Sequence, residues 1–247
     1  MIKTVVKNTL KYILQKFLGF QTYLFVFSVF KIKTLHSDPK EKDFFQFLSL
    51  LKDGEGAVLD IGANIGIMTV HLAQKLPNST IHAFEPMPSN YSVLKKIVNR
   101  FKLNKVQLHE IALGDSVGKV KMILPENGKT KMQGLSHIKH DSITEWNEGE
   151  EFDVPLDTLD NLIKDEKVQG IKIDVENFEY YALNGGKRIL EENHPVIYAE
   201  LWDNQNRENC MKLLSDLSYT PYVVAENKLT VFNKELHKNQ NFIFISN

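Results

Sequence analysis

From residue 43 onward, short continuous apolar runs alternate with longer segments whose apolar residues recur every three or four positions. "DFFQFLSLL" (43–51) reads as a helix closed by the turn "KDGEG". "AVLD" (57–60) reads as a short buried strand, and "IGIMTVHLAQKL" (65–76) as a helix that stops before Pro77. "TIHAFEP" (80–86) is a second strand. "SNYSVLKKIVNRF" (89–101) is a helix whose start Ser89 or Asn90 would cap, and "KVQLHEIAL" (105–113) is a third strand. Strands alternating with helices in this way predict right-handed crossovers and a parallel, doubly wound sheet.

The alternation breaks over residues 114–156. "GKVKMIL" and "GLSHIKH" flank "PENGKTKMQ", which contains the turn pair Asn127-Gly128, so antiparallel strands are expected as an insertion there. Asp157 then reads as the N-cap of "TLDNLIKDE", with Asp160 three residues on. The parallel rhythm resumes with a strand at 170–175, a helix near 178–190, a strand at 195–201 and a helix near 205–217. Strands at 220–226 and 241–246 flank "NKLTVFNKEL" and would pair antiparallel at one end of the sheet. The predicted class is α/β and Rossmann-like, with a mostly parallel sheet, helices on both faces, an inserted β-hairpin and an N-terminal helical extension. The extension spans 1–43 and the main domain 44–247.

Within the extension, Val5, Val6, Thr9, Leu10, Ile13, Leu14 and Phe17 recur at helical spacing, with Lys3, Lys7 and Lys11 mostly off that stripe; Gly19 would stop this helix. "TYLFVFSVF" (22–30) follows. The uncharged run from Phe17 to Phe30 is 14 residues long, short of the roughly 20 that a bilayer span needs. No small-x-small cleavage site follows it. Three readings stand: the helices pack on the main domain or on a second subunit as a homodimer, they lie as a basic amphipathic element on an anionic membrane, or they form a true membrane anchor.

Composition narrows the class. Of 247 residues, 43% are hydrophobic and 25% charged, which is ordinary for a globular chain with a sizeable core. The single Cys210 excludes an internal disulfide and CxxC metal sites and suggests a reducing, cytoplasmic setting. The net charge is −1, and the first 37 residues hold six lysines and no acid, so the remainder carries −7. A domain of that sign is not expected to bind nucleic acid, which calls for a basic face.

The candidate chemistry begins at "VLDIGANIGIMT" (58–69), where a strand runs into a turn with Gly62 and Gly66. A dinucleotide site calls for G-x-G-x-x-G, with pyrophosphate at the helix start. Here the middle glycine is missing, and Asp60 beside the turn would repel a pyrophosphate but suit a cation. S-adenosylmethionine carries an ammonium and a sulfonium and no phosphate. Asp60 would face the ammonium or order the loop around it, while the backbone at 62–66 approaches the methionine moiety. Glu85 lies 23 residues past Gly62, about where the ribose-binding acid falls in Rossmann-type folds.

At this point the chain resembles the FkbM-type S-adenosylmethionine-dependent methyltransferases. The carrying stretches are "LDIGANIGIMT" (59–69), "FEPMPSNYSVLKK" (84–96), "ALGDSVGKV" (112–120), "VPLDTLDNL" (154–162) and "IKIDVENFEYYALNGG" (171–186). The resemblance implies a class I methyltransferase fold of seven strands, the last pair antiparallel, and methyl transfer to oxygen on metabolites or sugars. It implies that Gly62, Asn64 and Gly66 line the cofactor loop, that Glu85 holds the ribose, and that the segment from Ala112 to Asp115 lies near the adenine. The family commonly reads D-V-E-G, and this chain has Asn177 after Glu176. If that position is left-handed, Asn is the next most tolerant residue.

Transfer to a hydroxyl also requires a general base. Candidates belong at the carboxyl ends of central strands: Asp174, with Glu176 two residues on, and Glu200 at the end of the next strand. Lys172 shares a face with Asp174 and is expected to pair with Asp174 or Glu200. Asp174 would touch the cofactor, and Glu176 or Glu200 would handle the acceptor. His137 and His140 are alternative bases from the inserted hairpin, though each reads first as a surface histidine. No metal site is indicated, since HExxH is absent and cysteine is single. Motifs of DNA base methyltransferases are also absent, so a small-molecule or carbohydrate acceptor is expected. A Rossmann oxidoreductase using a dinucleotide, and a non-catalytic membrane-associated nucleoside-binding protein, are the competing readings.

Overall fold

The computed structural model describes residues 14–127, 130–139 and 148–246. The main sheet is built from β1 (Ala57–Ile61), β2 (Ile81–Phe84), β3 (Val106–His109), β9 (Val168–Ile173), β10 (Val196–Glu200), β11 (Tyr219–Ala225), β12 (Lys228–Val231) and β13 (Asn241–Ser246). Their order is β12-β11-β13-β10-β9-β1-β2-β3. β3, β2, β1, β9 and β10 run parallel, while β13 is antiparallel to both β10 and β11. This places the reversed strand where the sequence expects an antiparallel pair. The sheet has eight strands rather than seven, because part of "NKLTVFNKEL" pairs with β11 as β12.

Helices cover both faces. They are α1 (Phe20–Thr34), α2 (Lys42–Leu50), α3 (Ile67–Lys75), α4 (Pro88–Phe101), α5 (Leu159–Leu162), α6 (Glu179–Asn184), α7 (Lys187–Asn193) and α8 (Gln205–Asp216). Successive strand residues point to opposite faces. Leu59, Ile197 and Phe242 therefore join Leu190 of α7 and Leu214 of α8 in one core. Their neighbours Val58, Tyr198 and Ile243 join Phe44 and Phe47 of α2 and Leu72 of α3 in the other. Burial on both faces explains why these strands read as continuous apolar runs.

The insertion is larger than a hairpin. β5 (Gly118–Asn127) and β8 (Gly149–Asp157) form a long antiparallel ladder, joined by β6 (Thr130–Lys131) and β7 (His137–Ile138). The expected third strand divides: β3 stays in the main sheet, and β4 (Ala112–Leu113) pairs with Leu156 and Asp157 of β8 in this second sheet. The Asn127-Gly128 turn lies partly outside the described residues.

Three local expectations are corrected. Thr158, not Asp157, caps α5, and its hydroxyl accepts from Asn161 N at 3.2 Å. Asp160 instead accepts from Arg188 N and Ile189 N, satisfying the open amides at the start of α7. The predicted 178–190 helix is two helices, broken where Gly185 and Gly186 pack against Gly114 and Leu159. Neither Ser89 nor Asn90 caps α4, which starts at Pro88 after Met87.

The apolar run of the extension is α1. Tyr23, Leu24, Ser28 and Ile32 are buried on it, packed with Ile65, Val70, Val93 and Ile97 of the main domain. Ser28 Oγ donates to Ile65 O at 2.8 Å, and His71 Nε2 donates to Ile32 O at 3.1 Å. Among the described residues no helix is long and apolar enough to cross a membrane. Of the amphipathic stripe, the residues from Val5 to Ile13 lie outside the described residues, and Leu14 and Phe17 are exposed.

Candidate active site

The turn after β1 is built around two left-handed glycines. Gly62 has φ +74°, and its N donates to Phe84 O at 3.0 Å. A Cβ there would collide with the carbonyl oxygen of Asp174, so β1 and the end of β9 approach as only glycine allows. Gly66, φ +81°, opens α3, and a Cβ on it would lie 2.8 Å from Leu94 Cδ1.

Beneath this turn is a buried ion pair. Asp60 and Lys172 are direct neighbours in the β1–β9 register. Lys172 Nζ lies 3.2 Å from Asp60 Oδ1 and donates to Gly62 O at 2.7 Å and Ile61 O at 3.3 Å. Thr69 Oγ1 donates to Asp60 Oδ2 at 2.6 Å. Asp60 is fully buried and is not among the residues lining either cleft; it holds the Lys172 ammonium that donates to the carbonyls of the turn. Lys172 pairs with Asp60 and not with Asp174 or Glu200. Burial alone would push the Lys172 ammonium down, but the charges of Asp60, Asp174 and Glu85 together raise it above its ordinary value.

Above the turn opens a cleft of about 600 Å³, lined by Gly62, Asn64, Glu85, Asn90, Ala112 and Asp174 among others. Glu85, at the end of β2, accepts from Asn64 N (2.8 Å), Met87 N (2.9 Å) and Asn90 Nδ2 (3.4 Å). Burial pushes its carboxyl up to about 7 against those three donors. A carboxylate offers about four acceptor positions, so the long Asn90 contact is the one that can yield to a ligand hydroxyl. Asn64 Oδ1 and Asn90 Oδ1 are buried and meet no donor among the described residues. Ala112 and Leu113 form one wall, and Met122, Ser136 and Ile138 of the insertion form the lid side. Asp115 departs from expectation: it is exposed, outside the lining, and accepts from Asn184 Nδ2 at 3.4 Å.

Carboxylates gather at one mouth of the cleft. Asp174 follows β9 and lines the cleft with Glu176. Burial and the charges of Asp174, Glu200 and Glu179 push Glu176 up to about 9. Burial and the charge of Asp174 push Glu200 up to about 7. Glu200 shares this field but lines neither main cleft. Glu176 and Asn177 are both left-handed, at φ +53° and +77°. Asn177 thus takes the conformation expected where the family has glycine, and its Oδ1 accepts from Asn204 Nδ2 at 2.7 Å. Glu179, which sequence reasoning missed, receives Val175 N and Asn177 N and clamps this turn.

A second cleft of about 630 Å³ shares Gly62, Asn64, Gly134 and Asp174 with the first. Its outer wall comes from the extension: Phe27, Lys31, Leu35 and Glu41. Burial raises Glu41, and the charge of Asp174 adds to the rise. His137 is buried rather than on the surface, and its Nδ1 donates to Leu135 O at 2.9 Å. His140 lies outside the described residues. Among the described residues no group of three or more His, Cys, Asp or Glu side chains is placed to hold a metal.

The raised carboxylates set a pH dependence. Glu85, Glu179, Glu200 and Glu176 bind protons more tightly folded than unfolded. Their stabilising contribution is complete below the ordinary glutamate value and is lost as pH rises through about 7, and for Glu176 through about 9. The thermal midpoint is expected to fall as pH rises from about 5.5 to 8, and less steeply in Glu176→Gln. A midpoint constant or rising over that range would mean that these groups are already ionised in the folded protein.

The mostly parallel sheet with its reversed strands β13 and β12 toward one end, the glycine turn after β1 and the acid ending β2 define a Rossmann-like methyltransferase fold. The profile of the methyltransferase FkbM domain matches residues 60–227. The chain belongs to the FkbM methyltransferase family. A crystal structure of methyltransferase FkbM from Methylobacillus flagellatus KT superposes with a TM-score of 0.58 at 15% identity, covering 98% of this chain and 60% of that one. "Methyltransferase 1" of Beauveria bassiana (strain ARSEF 2860) is 28% identical over 167 residues, 62% of this chain and 64% of its own length. "Methyltransferase sdnD" of Sordaria araneosa is 25% identical over 188 residues, 66% of this chain and 73% of its own. This chain thus spans less than two thirds of the Beauveria relative.

Proposed function

We propose that this chain is an S-adenosylmethionine-dependent O-methyltransferase acting on a hydroxyl of a small metabolite or sugar. The carrying observation is Glu85. It is buried at the end of β2, fixed by the backbone of the glycine turn, and lines a cleft together with Asn64 and Asn90, whose buried Oδ1 atoms meet no donor among the described residues. A carboxylate and two unpaired amide oxygens on residues lining one cleft suit a ligand rich in hydroxyl and ammonium donors and do not suit a pyrophosphate. That disfavours the dinucleotide reading, and the acidic mouth suits a cation.

When bound, the cofactor supplies a methyl group on a positively charged sulfur that leaves as a neutral thioether. Glu85 binds the ribose hydroxyls, Asn64 and Asn90 accept from remaining donors, and Ala112 and Leu113 flank the base. The second cleft takes the acceptor, meeting the first at Asp174. One member of the Asp174, Glu176 and Glu200 cluster takes the acceptor's hydroxyl proton as its oxygen forms the new bond to carbon. The like charges of that cluster hold a proton at neutral pH, so a proton can be shared among its members.

Glu85→Ala tests the reading. Each lost charge-assisted hydrogen bond is worth about 1.5–3 kcal/mol. Calorimetric affinity for S-adenosylhomocysteine is therefore expected to fall about tenfold or more. An unchanged affinity would remove Glu85 from the ribose site, and tight binding of NAD instead would restore the oxidoreductase reading.

A further inference from the structure

The described residues expose eight large hydrophobic side chains, and five of them lie between residues 14 and 30: Leu14, Phe17, Leu18, Val26 and Phe30. Phe17 is 83% exposed and Phe30 61%. On α1, Thr22, Val26, Phe30 and Lys33 follow one another at turn spacing and are all exposed, while Tyr23, Leu24, Ser28 and Ile32 of the opposite side are buried. Ser28 and Ile32 hydrogen-bond the main domain, so this apolar face is carried on a fixed element.

Charge selects the occupant. Lys33 is exposed on α1 and Lys16 in the segment before it, and the first 37 residues hold six lysines and no acid against −7 for the rest. A second copy docking here would bring two sets of like charges together, since a twofold interface pairs a patch with itself. An anionic lipid surface meets both properties at once: headgroups attract the lysines, and the interface receives the aromatic and aliphatic side chains. The acidic remainder is repelled, which turns the α1 edge toward the lipid. We propose that the exposed face of α1, together with the exposed Leu14, Phe17 and Leu18 that precede it in the chain, docks peripherally on an anionic membrane.

The test is co-sedimentation of the full chain with phosphatidylcholine vesicles containing about one third phosphatidylserine, and with pure phosphatidylcholine. Binding is expected to the anionic vesicles, to weaken with salt, and to fall about tenfold or more in Val26→Glu/Phe30→Glu. Lys16→Glu/Lys33→Glu keeps the apolar face and should remove the salt-sensitive part. Calorimetry with S-adenosylhomocysteine on each variant checks that the fold is kept, since none of these side chains lines either cleft. Absence of vesicle binding, equal binding to both vesicles, or an unchanged double variant overturns the proposal. A particle of twice the chain mass that Val26→Glu/Phe30→Glu dissociates assigns the face to a second copy.

Discussion

Lys172→Met is expected to destabilise the protein by about 3–5 kcal/mol, the cost of breaking a buried ion pair from one side. Both partners are almost wholly inaccessible, at 4% and 0% side-chain exposure, and among the described residues the variant leaves the Asp60 carboxylate with only the Thr69 hydroxyl. It also removes the donor to the Ile61 and Gly62 carbonyls, so the turn that shapes the cleft loses its support. Urea unfolding would read the loss as a lower midpoint at unchanged slope. The double variant Asp60→Leu/Lys172→Met should recover part of the stability, because no buried charge then lacks a partner. A single-variant loss below about 1 kcal/mol would mean that water reaches Asp60 and screens it.

Neutralising the mouth carboxylates should have the largest effect on turnover. Asp174→Asn, Glu176→Gln and Glu200→Gln each keep size and remove charge. If one of them is the base, its variant loses about 10²–10⁴-fold in turnover while S-adenosylhomocysteine still binds. The raised positions of Glu176 and Glu200 give the test a second readout. Removing one member relieves repulsion on the others, so the rising limb of the pH–rate profile should move to lower pH. A parallel loss of cofactor affinity would reassign the residue to binding. Full turnover in all three would place the base outside the cluster, with His137 and His140 next to be tested.

The parts of this design legible in the sequence are those governed by local pattern. Strands buried on both faces give unbroken apolar runs, which placed β1, β2, β9 and β10 within a residue or two. The close approach at Gly62 and the left-handed turn at Asn177 show because few residue types tolerate either. What stayed hidden depends on register and docking. Lys172 meets Asp60 only because two strands more than a hundred positions apart align them, and alternation alone could not choose among three acids on one face. The two-residue β4 is too short for periodicity to signal that it changes sheets. Glu41 and Lys31 reach the second cleft only once α1 has packed, and that packing is a tertiary event. Asn90 carried a helix-cap signal, but Pro88 opens α4 two residues earlier, so Asn90 lies inside the helix.

The hydrogen bond from Ser28 to the Ile65 carbonyl joins α1 to the very turn that frames both clefts. Helix position and turn geometry therefore share one equilibrium. Whatever holds the turn in this shape also supports the helix, and whatever clamps the helix from outside stiffens the turn. Binding energies that meet through such a joint are reciprocal. If a lipid surface raises ligand affinity by some factor, the ligand must raise attachment to that surface by the same factor. Ser28→Ala would weaken the link without abolishing it, since Tyr23, Leu24 and Ile32 still pack against Ile65 and its neighbours.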